Sequence, residues 1–409
     1  MKKTTLIIIG IVAVVLLFAI WLYLLIYGTP TKVTEYFTDF SLFGGNTPAT
    51  ITPAPTATDT APVTVDVKKD ALRQLTTRPV IGFAEFTPTG TTTFMRYAEA
   101  GTGHIYQINL DSGEETRLSN VTVPNAELAA FSPDGKYVAI RSGFGANNEI
   151  ILVTLVPNAE ATAESLAPKM ADFAWSNQNE IRYTEVTGYG LAGRILNPDT
   201  KTIRDSFTVP FQSATVIWSL GSTSQTYVYP KASTQLQGYL YSIKNGGIFR
   251  EPLSGYGLIA DANSRYVIET VRENTTPKSY QYRLVDGVRS ALPIVIEPSK
   301  CVFSGMDPNL VYCGSQLDTT YSEQYPDDWY KGIHSFSDDI WTINLQNHQM
   351  TQLVNPLKTV GRDIDMTFMT ISANAKMLYF INKNDNVLWS YEISTPTIDK
   401  SAITTSPSL

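Results

Sequence analysis

Apolar and polar residues change places along most of this chain in short runs separated by turn-forming clusters, which is the period of β-strands rather than of helices. The runs repeat. An apolar strand, a tight turn, a Tyr-rich strand, a loop, and a third strand ending in another turn can be laid out seven times. First strands begin near Ile81, Glu127, Met170, Ala214, Tyr256, Lys300 and Asp365, at intervals of 46, 43, 44, 42, 44 and 65 residues. The first hairpin turns read FTPTG, FSPDGK, WSNQNE, SLGSTS, DANSR, SGMDPN and SANAK, and turns holding Asp-Gly or Asn between apolar runs are strong hairpin signals. Second strands such as KYVAIR, RYVIET and KMLYFI recur, as do third strands such as HIYQINL, NEIILVTL and DIWTINL, and several units add a fourth, such as ETRLS or MTQLV.

A four-stranded antiparallel unit of this length, repeated around an axis, predicts an all-β fold of the β-propeller kind. A row of sandwiches would need repeats nearer 100 residues. Val80 to Ser394 spans 315 residues, or 45 for each of seven blades. The seventh unit stops after its third strand, VLWSYEI, and residues 72–79 (LRQLTTRP) resemble the fourth strands. The N-terminal segment is therefore expected to close the last blade, covering an edge that would otherwise invite pairing with another chain.

The N-terminus follows a different pattern. Residues 6–27 carry neither charge nor proline, enough apolar helix to cross a bilayer, and the run is longer than the core of a cleaved signal peptide. Trp21, Tyr23 and Tyr27 sit toward its C-terminal end, at headgroup depth, and Lys2 and Lys3 flank the other end. The expected topology is a cell-membrane protein with a cytoplasmic N-terminus at residues 1–5, a transmembrane helix at 6–27 in contact with the lipid bilayer, and everything beyond it extracytoplasmic. Residues 28–65 then form a juxtamembrane segment and a Thr/Pro/Ala-rich stalk, 66–396 the propeller, and 397–409 a polar tail.

Charge narrows the partners. The 31 basic and 38 acidic side chains give −7, or −9 once Lys2 and Lys3 are set aside. With no basic stripe, nucleic acid is not an expected partner. The chain holds no G-x-S-x-G, H-E-x-x-H or Walker motif and only three histidines, so no catalytic residue, metal site or cofactor is assigned. Carboxylates around a central channel are the one enzymatic alternative, as a hydrolase of envelope polysaccharide or peptide, and would require two carboxyls about 5 to 9.5 Å apart in an open funnel.

Two local features remain. Cys301 and Cys313 bracket a hairpin whose pairing of Val302 with Tyr312 and Phe303 with Val311 sets the cysteines opposite one another, the arrangement for a disulfide in an oxidising compartment. The long sixth interval is an insertion at residues 318–337, between the second and third strands of the sixth unit. It gathers Tyr325, Asp327, Asp328, Trp329, Tyr330 and His334, the candidate binding residues, on the face of the propeller that carries the blade-to-blade connections. The competing reading is that these rings pack the insertion onto its blade.

The stretch FSPDGKYVAI, Phe131 to Ile140, resembles the turn and strands of TolB-type, WD40-like (PD40) propeller repeats of bacterial envelope proteins. At larger scale the anchor, the TDFSLFGG segment, KCVFS with VYC, and YPDDWYKG followed by SFSDDIW resemble uncharacterised single-pass membrane-anchored β-propeller proteins of candidate-phylum bacteria. That resemblance implies architecture and envelope location and carries no activity. The function expected from the sequence is a protein- or glycan-binding or scaffold module.

Overall fold

The computed structural model describes residues 71–393 except 89–91, 144–147, 158, 219–224 and 318–320. The span expected at 6–27, the stalk and the polar tail all lie outside the described residues. Strand β1 (Leu72–Gln74) precedes a first antiparallel sheet of β2 (Val80–Phe86), β3 (Phe94–Glu99), β4 (Ile105–Asn109) and β5 (Glu115–Arg117). The second is β6 (Ala126–Phe131), β7 (Tyr137–Ser142), β8 (Glu149–Thr154) and β9 (Thr162–Leu166). The third is β10 (Asp172–Trp175), β11 (Ile181–Thr187), β12 (Gly190–Leu196) and β13 (Ile203–Val209).

Next come β14 (Ala214–Ile217), β15 (Thr226–Pro230) and β16 (Gln237–Lys244), which run into the 16-residue β17 (Gly247–Ala262). The first part of β17 pairs with β16, and its last part pairs with β18 (Tyr266–Glu273), which leads to β19 (Thr276–Arg283) and β20 (Val288–Ala291). The fourth and fifth units thus share one strand, so the boundary expected near Tyr256 falls inside it. Gly257, at φ +60°, bends the chain there, and the ladder shifts register between Tyr256 and Ile259.

The sixth unit is β21 (Cys301–Phe303), β22 (Leu310–Ser315), β23 (Asp339–Asn344) and β24 (Met350–Val354). In the seventh, β25 (Met366–Ile371), β26 (Met377–Asn382) and β27 (Val387–Glu392) take β1 as their fourth strand.

Turn chemistry explains where strands stop. After β6, β10 and β25 a serine opens a turn whose fourth residue, Gly135, Asn179 or Ala375, has positive φ and returns its N–H to the serine carbonyl at 2.9–3.0 Å. In the second unit Ser132 Oγ also donates to Asp134 Oδ1 at 2.6 Å, and Asp134 accepts the Lys136 N–H. Cβ is excluded at Gly135, because it would come 2.6 Å from the Phe86 ring.

Apart from the cluster inside the insertion, the core is divided into clusters that each join one unit to the next. Tyr137, Leu152, Phe173 and Tyr183 join the second and third, and Tyr266, Ile268, Val311 and Trp341 join the fifth and sixth. The cluster that makes the arrangement circular combines Val80, Met95, Tyr97 and Tyr106 of the first sheet with Tyr379, Ile381 and Leu388 of the last. Tyr379 Oη also donates to Glu85 across that seam at 2.8 Å. First strands of neighbouring sheets touch, as β2 does β6 and β21 does β25, so they line the centre of the ring.

Ring closure rests on the chain ends. Leu72 pairs with Tyr391 and Gln74 with Trp389, and Leu72 is buried against Met366, Phe380 and Tyr391. Thr76 Oγ1 accepts the Leu388 N–H at 3.0 Å, and the Val80 N–H donates to the Asn386 carbonyl at 2.7 Å. A chain that begins at Val80 leaves the outer edge of β27 bare and opens the cluster under Leu72. It is expected to associate through that edge and to melt lower than the full chain, read by light scattering and calorimetry. An equally stable monomer would refute closure by this segment.

Candidate functional site

In an antiparallel sheet of this order, second-to-third loops and sheet-to-sheet connections emerge at the same end. The insertion of the sixth unit leaves that end and crosses it in two directions. The short helix α1 (Asp327–Tyr330) carries Asp327, whose Oδ2 accepts the Thr234 N–H and hydroxyl, both at 2.6 Å, and the Ser233 hydroxyl at 3.1 Å. Ser233 and Thr234 belong to the β15–β16 loop, two units away. These donors hold the Asp327 carboxyl below the usual range despite the cost of burying it.

Toward the seventh unit, Trp329 Nε1 donates to both oxygens of Asp365, at 3.1 and 2.9 Å, just before β25. Lys383 Nζ donates to the Trp329 carbonyl at 2.5 Å and lies 4.7 Å from its ring centroid. Ser335 Oγ bridges Asp365 and Asn384. The insertion is thus pinned from the fourth unit to the seventh, over the ends of the central strands.

Beneath it lies a buried ion cluster. Lys300 ends the turn before β21, and its Nζ meets Asp338 Oδ2 at 2.7 Å and Asp365 Oδ1 at 2.5 Å, with all three residues at most 2 % exposed. The ammonium also faces the rings of Phe336 at 4.3 Å and Trp329 at 5.1 Å. Asp338 Oδ2 accepts the Met366 N–H as well, and Asp365 receives Trp329 and Ser335. Burial, opposed by Lys300 and reinforced by Asp365, still pushes the Asp338 carboxyl above its ordinary value. Glu297, buried beside the cluster, accepts the Tyr325 hydroxyl and Ser299 Oγ. Desolvation raises its carboxyl, and burial raises the Tyr325 phenol well above its ordinary value.

The six candidate residues therefore divide. Tyr325 and Trp329 are each 5 % exposed and pack with Phe336 and Tyr321, so they face inward and offer no ring to a partner. Asp327 is spent on Thr234. Asp328 turns the chain with its carbonyl, which accepts the Ile333 and His334 N–H groups. His334 stacks edge-on to Phe336 at 4.7 Å. Tyr330 is the exposed member, with Lys231 Nζ 5.5 Å from its ring. Lys300, Asp338, Asp365 and Glu297 are not among the candidate residues read from the sequence, because nothing local marks residues that meet only when the sixth and seventh units come together.

Two carboxylates do converge here, but they converge on a lysine nitrogen, and the space among Glu297, Lys300, Tyr321, Tyr325, Phe336 and Asp338 is a cavity of about 10 Å³. That is at most the volume of one water. Among the described residues, no group of three or more His, Cys, Asp or Glu side chains is arranged to hold a metal ion. Cys301 and Cys313 stand opposite one another in the β21–β22 ladder and are joined by a disulfide, with Cα atoms 4.1 Å apart.

No family model matches this chain, and no curated protein matches it. Solved structures do. Oligogalacturonate lyase in complex with manganese aligns with a TM-score of 0.52 at 10% identity, over 79% of this chain and 93% of that one. The β-propeller domain of Cps50 (Swd1) from Myceliophteria thermophila aligns with a TM-score of 0.51 at 8% identity, over 79% and 100%. A chain of the mitotic checkpoint complex aligns with a TM-score of 0.52 at 10% identity, over 86% and 100%. At such identities the likeness shows the fold, a β-propeller, and assigns no activity.

Two outcomes follow from the buried cluster. Lys300→Met leaves Asp338 and Asp365 without their cation and is expected to destabilise the protein by about 3–5 kcal/mol, measured by denaturant unfolding. The second concerns pH. A carboxyl whose folded pKa is raised binds its proton more tightly in the folded state, so stability falls as pH rises from the ordinary carboxylate range through the raised value. Glu297 and Asp338 both contribute in this sense, so Glu297→Gln should flatten the decline in melting temperature between mildly acidic and neutral pH. An unchanged slope would remove Glu297 from the account.

Proposed function

We propose that the chain is an envelope-anchored, extracytoplasmic seven-bladed β-propeller that binds a protein or glycan partner as a scaffold module, without catalysis. The seven blades are the four-stranded units counted with β17 shared between the fourth and fifth and β1 lent to the last. The anchor is the uncharged run at 6–27, and the Cys301–Cys313 bond suits an oxidising compartment outside the cytoplasm.

The observation that carries the binding reading is the way the insertion is fixed. Its interior groups are consumed by Thr234, Asp365 and Glu297, which immobilises its outer edge without occupying it. Beside that edge lies a cleft of about 470 Å³ lined by Thr234, Gln235, Tyr256, Arg272, Glu323 and Gln324, within the size range of ligand sites. Tyr256 is 52 % exposed there, an aromatic with a polar tip on a rigid scaffold. The contact surface proposed for the insertion thus lies on its rim and not on Trp329.

The test is affinity capture from envelope extracts with the full chain in detergent. A partner held at this rim is expected to be recovered about tenfold less with Tyr256→Ala, a loss typical of an interface anchor, while Trp329→Ala lowers the melting temperature and leaves binding measured well below it unchanged. Release of sugar or peptide fragments from envelope material by the wild-type chain would overturn the non-catalytic reading.

A further inference from the structure

Another open space lies toward the opposite end of the ring, where first-to-second and third-to-fourth turns emerge. A groove of about 600 Å³ separates the first and second units. Phe86, Phe94, Arg96 and Arg117 wall one side, and Asp134 to Lys136 and Leu155 to Pro157 the other. Through the shared Leu118 and Ala159 it opens into a second space of about 540 Å³, and through Val121 into a third of about 250 Å³ beside β9. The three spaces follow one another through these shared residues, past the outermost strands β5 and β9, each hydrogen-bonded to one neighbouring strand only among the described residues.

Arg96 sets its chemistry. Nε donates to Gln107 Oε1 at 2.9 Å, Nη1 donates to the Gly135 carbonyl of the second unit at 2.8 Å, and the guanidinium carbon stands 4.0 Å from the Phe86 ring centroid. The guanidinium plane is therefore fixed by both units before any ligand arrives. It is half-buried, yet among the described residues no carboxylate forms an ion pair with it, whereas Arg78, Arg141, Arg194, Arg204, Arg283 and Arg289 all have one. Burial alone holds its pKa below the ordinary value, with no acidic neighbour opposing. Arg117 lines the rim, its Nε donating to the Ser119 carbonyl. Lys136 is matched by Asp199, and Asp134 is occupied by Ser132 and the Lys136 N–H. On a chain of net charge −7 this groove keeps an excess of cations, next to an apolar wall. A fixed, partly desolvated guanidinium with free donors recognises a planar carboxylate.

We propose that this groove binds an extended acidic peptide, with an Asp or Glu carboxylate on the free edge of Arg96 and the neighbouring apolar side chains against Phe86 and the Leu155–Pro157 turn. The peptide is favoured over a compact ligand by the length of the groove and by the strand edges beside it, which offer main-chain hydrogen bonds. Glu149, Glu160 and Glu164 line the far part, so acidic residues are tolerated at one end only. Its Arg96 end lies on the face away from the insertion, while its far part follows the β5–β6 connection toward the insertion's side of the ring, and the carboxylate contact at Arg96 does not depend on how the insertion functions.

Selection of a random twelve-residue peptide library on the detergent-solubilised full chain tests this directly. Recovered sequences are expected to share an Asp or Glu beside apolar residues, with no acid at the other end. Arg96→Gln should weaken the best peptide by about tenfold or more, and replacing its acid by the amide should weaken it equally, the two changes together adding little. Arg96→Lys, which keeps charge without the fork, should fall between, and Phe86→Ala should weaken binding at unchanged acid preference. Melting temperatures verify that each variant is folded. The proposal is overturned if no peptide is selected, if acidic and amide forms bind alike, if Arg96→Gln changes affinity less than about twofold, or if polyuronate binds where peptides do not.

Discussion

Everything in this molecule depends on both faces of each sheet being covered. Middle strands such as β7, β22 and β26 are buried on both sides, reading Tyr-Val-Ala-Ile, Val-Tyr-Cys-Gly and Leu-Tyr-Phe-Ile without a polar face. A row of such sheets would end in two bare apolar faces, and burying them against each other forces a ring. The seam is built from Tyr97 and Tyr106 on one side and Tyr379 and Leu388 on the other. Lending β1 to the last sheet adds a covalent constraint: the first described strand cannot leave without exposing both an edge and the cluster around Leu72.

The insertion shows how a second layer is fixed on such a ring. A lysine with 1 % exposure would lose far more by desolvation than one carboxylate returns. Here it meets two carboxylates and two aromatic faces, and each carboxylate has a further donor of its own. Because the partners come from the connection before β21, the start of β23 and the start of β25, the cluster ties neighbouring units together at the point where Trp329 docks. Net stability from a buried network of this kind is modest, whereas its geometric demands are strict. Its contribution is to hold the insertion in a single position.

Much of this was legible in the sequence wherever the information is local. The repeat, the hairpin register that sets Cys301 opposite Cys313, and the fourth-strand character of residues 72–79 all follow from alternation and turn residues within one unit or from comparison of units. The continuity of β17 was not, since the fifth unit's first strand is expected to begin near Tyr256, whereas here the chain bends at Gly257 inside one strand. Nor was the inward aim of Trp329. The same composition of rings and acids describes a binding loop and a packed roof, and what separates them is Asp365, 36 residues away, waiting as a buried acceptor. Sequence periodicity places a side chain on a face of its strand, but an insertion has no period to read.

The two ends of the ring differ in how their charges are used. At the connection end the buried ion cluster is internally satisfied: Lys300 is divided between Asp338 and Asp365, Asp327 is saturated by Ser233 and Thr234, and Glu297 takes a phenol and a hydroxyl. At the turn end Arg96 is held as firmly, by Gln107 and the Gly135 carbonyl, but by neutral acceptors. A neutral acceptor orients a guanidinium without neutralising it, so the desolvation cost of Arg96 is offset only in part within the protein. Gly135 is what allows this, since any side chain there would strike Phe86 and Arg96 together, at 2.6 and 2.7 Å. The glycine that the turn needs for its positive φ is thus also the residue that lets the second unit orient the cation of the first. The second unit's hairpin turn is in this way part of the wall of the groove that Arg96 lines.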